Sequence, residues 1–561
     1  MTRVVTIVAQ DPTLRYEPPH PRAGQIVTAA IRIPDETLHD GPRGYRVHCI
    51  DFDASTETYY ATRILDPNVV IDDAVIFDDP SFHCQNVYAI VMHTLARFER
   101  ALGRRVSWGF YGHQLKVAPH AFAEANAFYS KQDHALLFGY FYTSDGPRPV
   151  FTSLSHDIIV HETTHALLDG LRTRYTDPSS ADQAAFHEGF ADVVALLSIF
   201  ALEELPELLL ERDPELRQHR LIDATALRPE ALRAKIGNLA VEFGAALSGV
   251  RGQPLRNSLS IDPREHPLAN VDEPHARGEY FVAAMINSFI ELWGRQIGRL
   301  GDDDPDRRVD RSKVIEEGAH IADMLLDSAI RALDYCPPVD LLFGDYLSGF
   351  LTADTEFRPD DRINLRKVVR ETFAMYGIEP EAKTPEGTWD HAPAKLTYDA
   401  THFEPMKSDP DEVFHFVWEN RQQDKLRLVE DGYTRILSVR PSMRVGADGF
   451  VLHETVAEYL QVLQVRAGDL GALGLRKPDD MPDTQPLDLY GGGSLIFGEY
   501  GQLKYHVYNT LLGSKQSDRI DYLWRSGQLA AARATPFAAL HRLRSIGGLA
   551  FGEAFDMKEI W

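Results

Sequence analysis

The segment AAFHEGFADVVALLSIFAL, residues 184–202, constrains the fold more than any other part of the chain. It is apolar on nearly every side, the pattern of a helix enclosed in a protein interior. Yet it carries Glu188 and Asp192, which the helical repeat places one turn apart on the same face. ExxxD alone reads as an ordinary exposed acidic face. On a buried helix, however, two carboxylates need partners, and a cation is the natural one. Ser180 and Gln183, an S-x-x-Q capping box, predict where this helix starts.

Donors that could share such a cation lie just upstream, in SHDIIVHETTHALLDGL. Residues four apart on a helix share a face, so His161 and His165 can present two imidazole nitrogens to one ion, with Glu162 beside it toward a bound water. With 22 histidines and 83 acidic residues in the chain, an HExxH arises by chance in roughly one chain in fifteen. The motif therefore needs the third ligand that Glu188 can supply, and Asp192 is placed to orient Nδ1 of His161. The expected ion is Zn2+. A second His-Glu pair, His453 and Glu454 in VLHETVAEY, has Ala457 where a ligand would be required, and reads as a strand or helix surface without metal.

Composition narrows the partners. A formal charge of -25 with no basic stripe argues against nucleic acid and anionic membrane surfaces. Cys49, Cys84 and Cys336 are odd in number and far apart, forming neither a disulfide framework nor a metal clip. The N-terminus lacks a charged-then-apolar leader and no apolar run reaches the length of a membrane span, so a cytoplasmic location is expected.

Along the chain, alternating runs such as VVTIVAQ and GQIVTAAIRI make the first 75 residues β-rich. SFHCQNVYAIVMHTLARFERALG predicts a helix ending at Gly103, and HALLFGYF a strand. From about Ser155 to Gly377 the pattern is mainly helical, and the acidic DDDPD within it reads as a solvated loop. The triple glycine of YGGGSLIFGEY has no phosphate-loop Gly-Lys-Ser/Thr after it and is expected as a turn into a hairpin. The expected divisions are an N-terminal β extension (1–43), a β-rich lobe (44–154), a helical metal-binding lobe (155–380) and a mixed α/β module (381–561).

Taken with these motifs, residues 44–380 resemble the thermolysin-like zinc metallopeptidases, the gluzincins, whose pattern is HExxH followed by a helix bearing ExxxD. DIIVHETTHALLDG also has that family's Asp four residues before the first ligand. The resemblance implies an α+β fold of two lobes, β-rich then helical, with the active-site helix between them and the C-terminal module as an addition. It implies zinc-dependent endopeptidase activity, with Glu162 as general base. NAFYSKQDHALLFGYF resembles the edge strand that binds substrate backbone through Asn126 and Ala127, and LRNSLSIDP the segment whose arginine, here Arg256, bonds a substrate carbonyl. Tyr175 and His275 stand where the family contacts the tetrahedral intermediate. Ile158 and Leu255 would wall an apolar pocket for a bulky residue after the scissile bond. Each has an ordinary alternative: loop packing for Tyr175, helix capping for His275, an ion pair for Arg256 and core packing for the two aliphatics.

Departures from the family are also visible. Asn270 replaces an Asp that supports the histidine, a role open to Asp272 or Glu273. Ile199 replaces a ligand of the paired calcium site although Asp157 remains, so no calcium is expected there. Residues 381–561 match nothing in the family. The competing readings are a binding scaffold, or a narrow processing protease whose C-terminal module covers or regulates the cleft.

Overall fold

The computed structural model describes residues 2–529 apart from 67–68, 111, 144–147, 178, 218, 243–253, 303, 394, 423 and 447–448. Helix at 42% and strand at 21% make the protein α+β. Among the described residues no helix is long and apolar enough to cross a membrane.

Strands β1 (Thr2–Val8) and β2 (Thr28–Pro34) pair antiparallel. Ala29, Ile31 and Ile33 alternate inward along β2, as a half-buried strand requires, and the pair packs on helix α1 (Pro80–Leu102). Asp79 starts α1 by accepting from the Ser81 N–H, and Gly103 ends it in the left-handed region at φ 66°. A sheet follows, built from β3 (Val47–Cys49), β4 (Leu115–Phe122), β5 (Ala127–Ser130), β6 (Ala135–Tyr142) and β7 (Pro149–Phe151). Its order is β3-β4-β6-β5, with β7 also on β6. Strand β5 is thus an edge, paired antiparallel with β6 from Ala127 opposite Phe138 to Ser130 opposite Ala135.

The helical part contains α2 (His156–Leu171), α3 (Ala181–Phe200), α4 (Pro274–Gly301), α5 (Arg311–Ala332), α6 (Phe343–Phe357) and α7 (Leu365–Met375). One continuous core runs from Ile7 to Ile378. It takes in β1 and β2, so the segment before residue 44 is packed into the same interior as the helices. Separate cores follow residue 380. They hold helix α8 (Pro410–Glu419) and an antiparallel sheet in sequence order: β8 (Tyr433–Val445), β9 (Val451–Arg466), β10 (Pro486–Gly498) and β11 (Leu503–Asn509).

Two expectations are corrected here. Gly491, Gly492 and Gly493 are not a turn; they lie inside β10, opposite Gln461, Leu460 and Tyr459. Crowding explains them: a Cβ at Gly491 would sit 2.5 Å from the Leu511 nitrogen, and one at Gly492 2.5 Å from the Tyr459 carbonyl oxygen. The turn comes later, at Gly501, where φ is 84°. His453 is exposed on a strand, as expected, but Glu454 beside it on this inner strand is buried, not on a surface.

The C-terminal sheet is joined to the helices by polar contacts. Strand β8 meets the end of α1, where the Met443 N–H donates to the Gly103 carbonyl at 3.0 Å and the Ser442 hydroxyl to the Leu102 carbonyl at 2.6 Å. A Cβ at Gly103 would lie 2.4 Å from the Met443 carbonyl oxygen. Gly103→Ala is therefore expected to cost about 1–3 kcal/mol, from left-handed backbone strain and the clash together. Urea denaturation measures it, and an unchanged midpoint would show that strand and helix are not held this close.

Candidate metal centre

Helix α2 carries the HETTH segment wholly inside the protein: His161, Glu162 and His165 are all buried. Helix α3 packs against it. Ser180 starts α3 as expected, accepting from the Gln183 N–H at 3.0 Å. The return half of the capping box is absent. The Gln183 amide instead donates to the carbonyls of Arg174 and Asp177 and accepts from the Leu341 N–H at 2.9 Å, tying the connecting loop to the start of α3.

Between these helices three side chains converge. Nε2 of His161 and Nε2 of His165 are 2.9 Å apart, and the Glu188 carboxylate lies 3.4 Å from the first and 3.7 Å from the second. Nδ1 of His161 is 2.9 Å from the Asp192 carboxylate, which as an acceptor places the imidazole proton on Nδ1 and leaves the Nε2 lone pair facing the cluster. Nδ1 of His165 meets Nδ1 of His187 at 2.8 Å. If His165 donates there, its Nε2 lone pair turns to the same point. Two imidazole nitrogens and a carboxylate directed at one another in a buried space are a donor set for a cation, and two His plus one Glu is a set that suits zinc. His187 was missed in the sequence because only the pairing of α2 with α3 brings it to His165.

Glu162 sits beside this cluster without belonging to it. Its Oε2 accepts from the Tyr129 backbone N–H at 2.9 Å, so the edge strand β5 runs alongside the carboxylate. Tyr129 is anchored in turn by its hydroxyl, 3.3 Å from Asp169 on α2. Lys131 contacts the same carboxyl at 3.0 Å. Burial nevertheless pushes the Asp169 carboxyl above its usual range, against the opposing pull of Lys131.

The remaining residues fall into place unevenly. Asn126 immediately precedes β5; its side chain accepts from the Ala127 N–H at 2.9 Å and its carbonyl from the Gly139 N–H at 2.8 Å. Tyr175 requires a correction. It is 2% exposed, packs edge-on against Phe186 and donates its hydroxyl to the Pro337 carbonyl at 2.7 Å, so that hydroxyl serves the interior in place of an oxyanion. His275 stands in the first turn of α4 with Nδ1 2.8 Å from Glu273, and Glu273, not His275, caps the helix through the Ala276 N–H. Helices α3 and α4 cross closely where Gly189 meets Gly278, a Cβ at Gly189 falling 3.1 Å from the Gly278 carbonyl oxygen. Ile158 and Leu255 are 2% and 3% exposed and belong to the main core, the core packing that was the ordinary alternative to a pocket wall. The Arg256 side chain lies outside the described residues.

Ile199 is fully buried among apolar residues, and Asp157 accepts from the Ser155 hydroxyl at 2.6 Å. Thermal melting is accordingly expected to be the same with and without a calcium chelator that spares zinc. A large drop on chelation would reveal a calcium ion holding the fold.

A second cluster, His20 with Glu207 and Glu211 of the helix Glu204–Glu211, also brings three donors together. There Nδ1 of His20 accepts from the Arg22 N–H at 3.1 Å, so the neutral ring carries its proton on Nε2. That nitrogen, 3.6 Å from Glu211, faces the carboxylate as an N–H, and the cluster reads as a proton-linked contact between loop and helix.

No known protein-family model matches the chain, and no curated protein shows significant similarity to it.

Proposed function

We propose that this protein is a zinc-dependent metalloendopeptidase with a thermolysin-like arrangement of its first 380 or so residues. The observation that carries the reading is the convergence of His161, His165 and Glu188, with Glu162 held next to them by the backbone of an edge strand. His161, His165 and Glu188 would hold the metal, with Asp192 and His187 fixing the two rings. A zinc ion bound there supplies Lewis acidity, polarising a carbonyl and making a water more acidic.

The chain's own residues then account for the rest of the chemistry. A peptide substrate adds as a further strand along β5 at Asn126 and Ala127, taking over the Ala127 N–H from the Asn126 side chain that now accepts it. Glu162, kept in position by the Tyr129 N–H, takes the proton of the attacking water and passes it to the leaving nitrogen. His275, whose Nδ1 faces Glu273, donates from Nε2 to the oxygen that gains charge when its ring carries both protons. Tyr175 takes no part, and Tyr175→Phe should leave the rate of hydrolysis nearly unchanged.

A residue such as Leu or Phe is favoured after the scissile bond. Because Ile158 and Leu255 are enclosed in the core, that preference over Ala should fall below the about 2 kcal/mol that full burial of such a side chain gives. Cleavage of a mixed peptide library by the zinc-loaded protein tests the proposal. Cuts before Leu and Phe are expected; cuts before charged residues would refute the apolar preference, and no cleavage would refute the peptidase reading.

A further inference from the structure

The C-terminal end of α2 packs on the 107–109 segment and also meets residues of the C-terminal module. Arg172, which caps the helix through its N–H to the Leu168 carbonyl at 2.7 Å, sends a 2% exposed side chain across to the C-terminal sheet. Its guanidinium lies 2.8 Å from the Glu458 carboxylate and 3.4 Å from the Ser494 hydroxyl, and also donates to the Leu333 carbonyl. From β8, Arg440 reaches the Gly170 and Leu171 carbonyls, each at 3.5 Å. The last carbonyls of a helix have no partners within it and carry the negative end of its dipole. Here they meet a cation from a distant part of the chain.

We propose that Glu458 and Arg440 are positioning residues for the metal centre, fixing from the C-terminal sheet the end of the helix on which His161, Glu162 and His165 stand. The inference rests on the metal reading given above. Arg172 lies two turns beyond His165, and it cannot leave Glu458 without stranding a buried charge on each side. The helix is thereby pinned close to its ligands, and the C-terminal module acts as a built-in brace, not as a lid that comes and goes.

Glu458→Gln and Glu454→Gln in the full chain separate this role from plain stability. Both remove a charge from a buried pair on β9, but the partners of Glu454 are Arg444, Tyr335 and Lys504, none of them on α2. Three quantities are read: zinc affinity by chelator competition, the visible spectrum of the cobalt-loaded protein, and amide hydrogen exchange over 168–172. Glu458→Gln should weaken zinc binding about tenfold, alter the cobalt spectrum and speed that exchange, whereas Glu454→Gln lowers the melting temperature and moves none of the three. Should Glu458→Gln fail to fold, Arg440→Met is expected to move the same three quantities and Arg440→Lys to restore them in large part. Values for Glu458→Gln or Arg440→Met that equal those of Glu454→Gln would overturn the inference. If the wild-type protein binds neither metal, the metal reading fails by itself. The exchange measurement, which needs no metal, still decides whether the sheet braces α2.

Discussion

Glu162→Gln is expected to lower kcat by about 10²- to 10⁴-fold, the contribution usual for a positioned general base, while the protein keeps its zinc. The two halves of this prediction have separate causes. Glutamine retains an oxygen that can accept from the Tyr129 N–H, the contact that holds Glu162 at 2.9 Å, so the side chain has reason to stay in place. It cannot take up a proton, so the water is no longer activated. The three donors that converge on one another, His161, His165 and Glu188, are untouched. Steady-state kinetics alongside elemental analysis separate the effects. Undiminished hydrolysis would show that another group is the base, and loss of zinc together with activity would show that Glu162 is a ligand.

Arg444→Met should cost about 1–3 kcal/mol of stability, because it leaves two buried carboxylates, Asp334 and Glu454, with one cation each in place of two. Arg444 is fully enclosed and pairs with Asp334 and Glu454, the latter at 2.8 Å. Asp334 also pairs with Arg104 at 2.6 Å. Burial alone would raise the Asp334 carboxyl, but Arg104 and then Arg444 outweigh it and hold the group down at about 2. A carboxyl depressed in the folded protein adds stability that is present above its unfolded value of about 4 and is lost as pH falls from there toward 2. The variant should therefore be weaker at neutral pH and show a shallower acid dependence over that window, since part of the depression is gone. Urea denaturation at pH 7 and between pH 4 and 2 measures both; a loss under about 1 kcal/mol at pH 7 would mean that Arg444 is replaceable by apolar packing.

The residues that converge in the candidate metal centre could be read from the sequence because their signals are local. His161 and His165 share a helical face by spacing alone, and Glu188 and Asp192 stand out as carboxylates in an apolar helix whose start Ser180 marks. Gly103 was equally plain as the end of α1, although the close approach of Met443 that also favours glycine there needs the fold. What could not be read depends on residues distant in the chain. Arg104, Asp334 and Arg444 form one buried cluster, yet nothing near any of them announces the others. Tyr175 occupies a plausible place in the sequence, but the Pro337 carbonyl that takes its hydroxyl comes from another element. The triple glycine misleads for a similar reason: glycines suggest turns, and the crowding by Leu511 and Tyr459 that calls for them here exists only once the sheet is assembled.

The most direct test of the metal centre is the zinc content of the purified protein after dialysis against zinc and then against metal-free buffer, with His165→Ala and Glu188→Ala beside it. One zinc per chain in the wild type and none retained by either variant is the expected result, because each variant removes one of three converging donors. A folded wild-type protein that takes up no zinc, or variants that keep it as tightly as the wild type, would contradict the assignment of His161, His165 and Glu188 as a metal site.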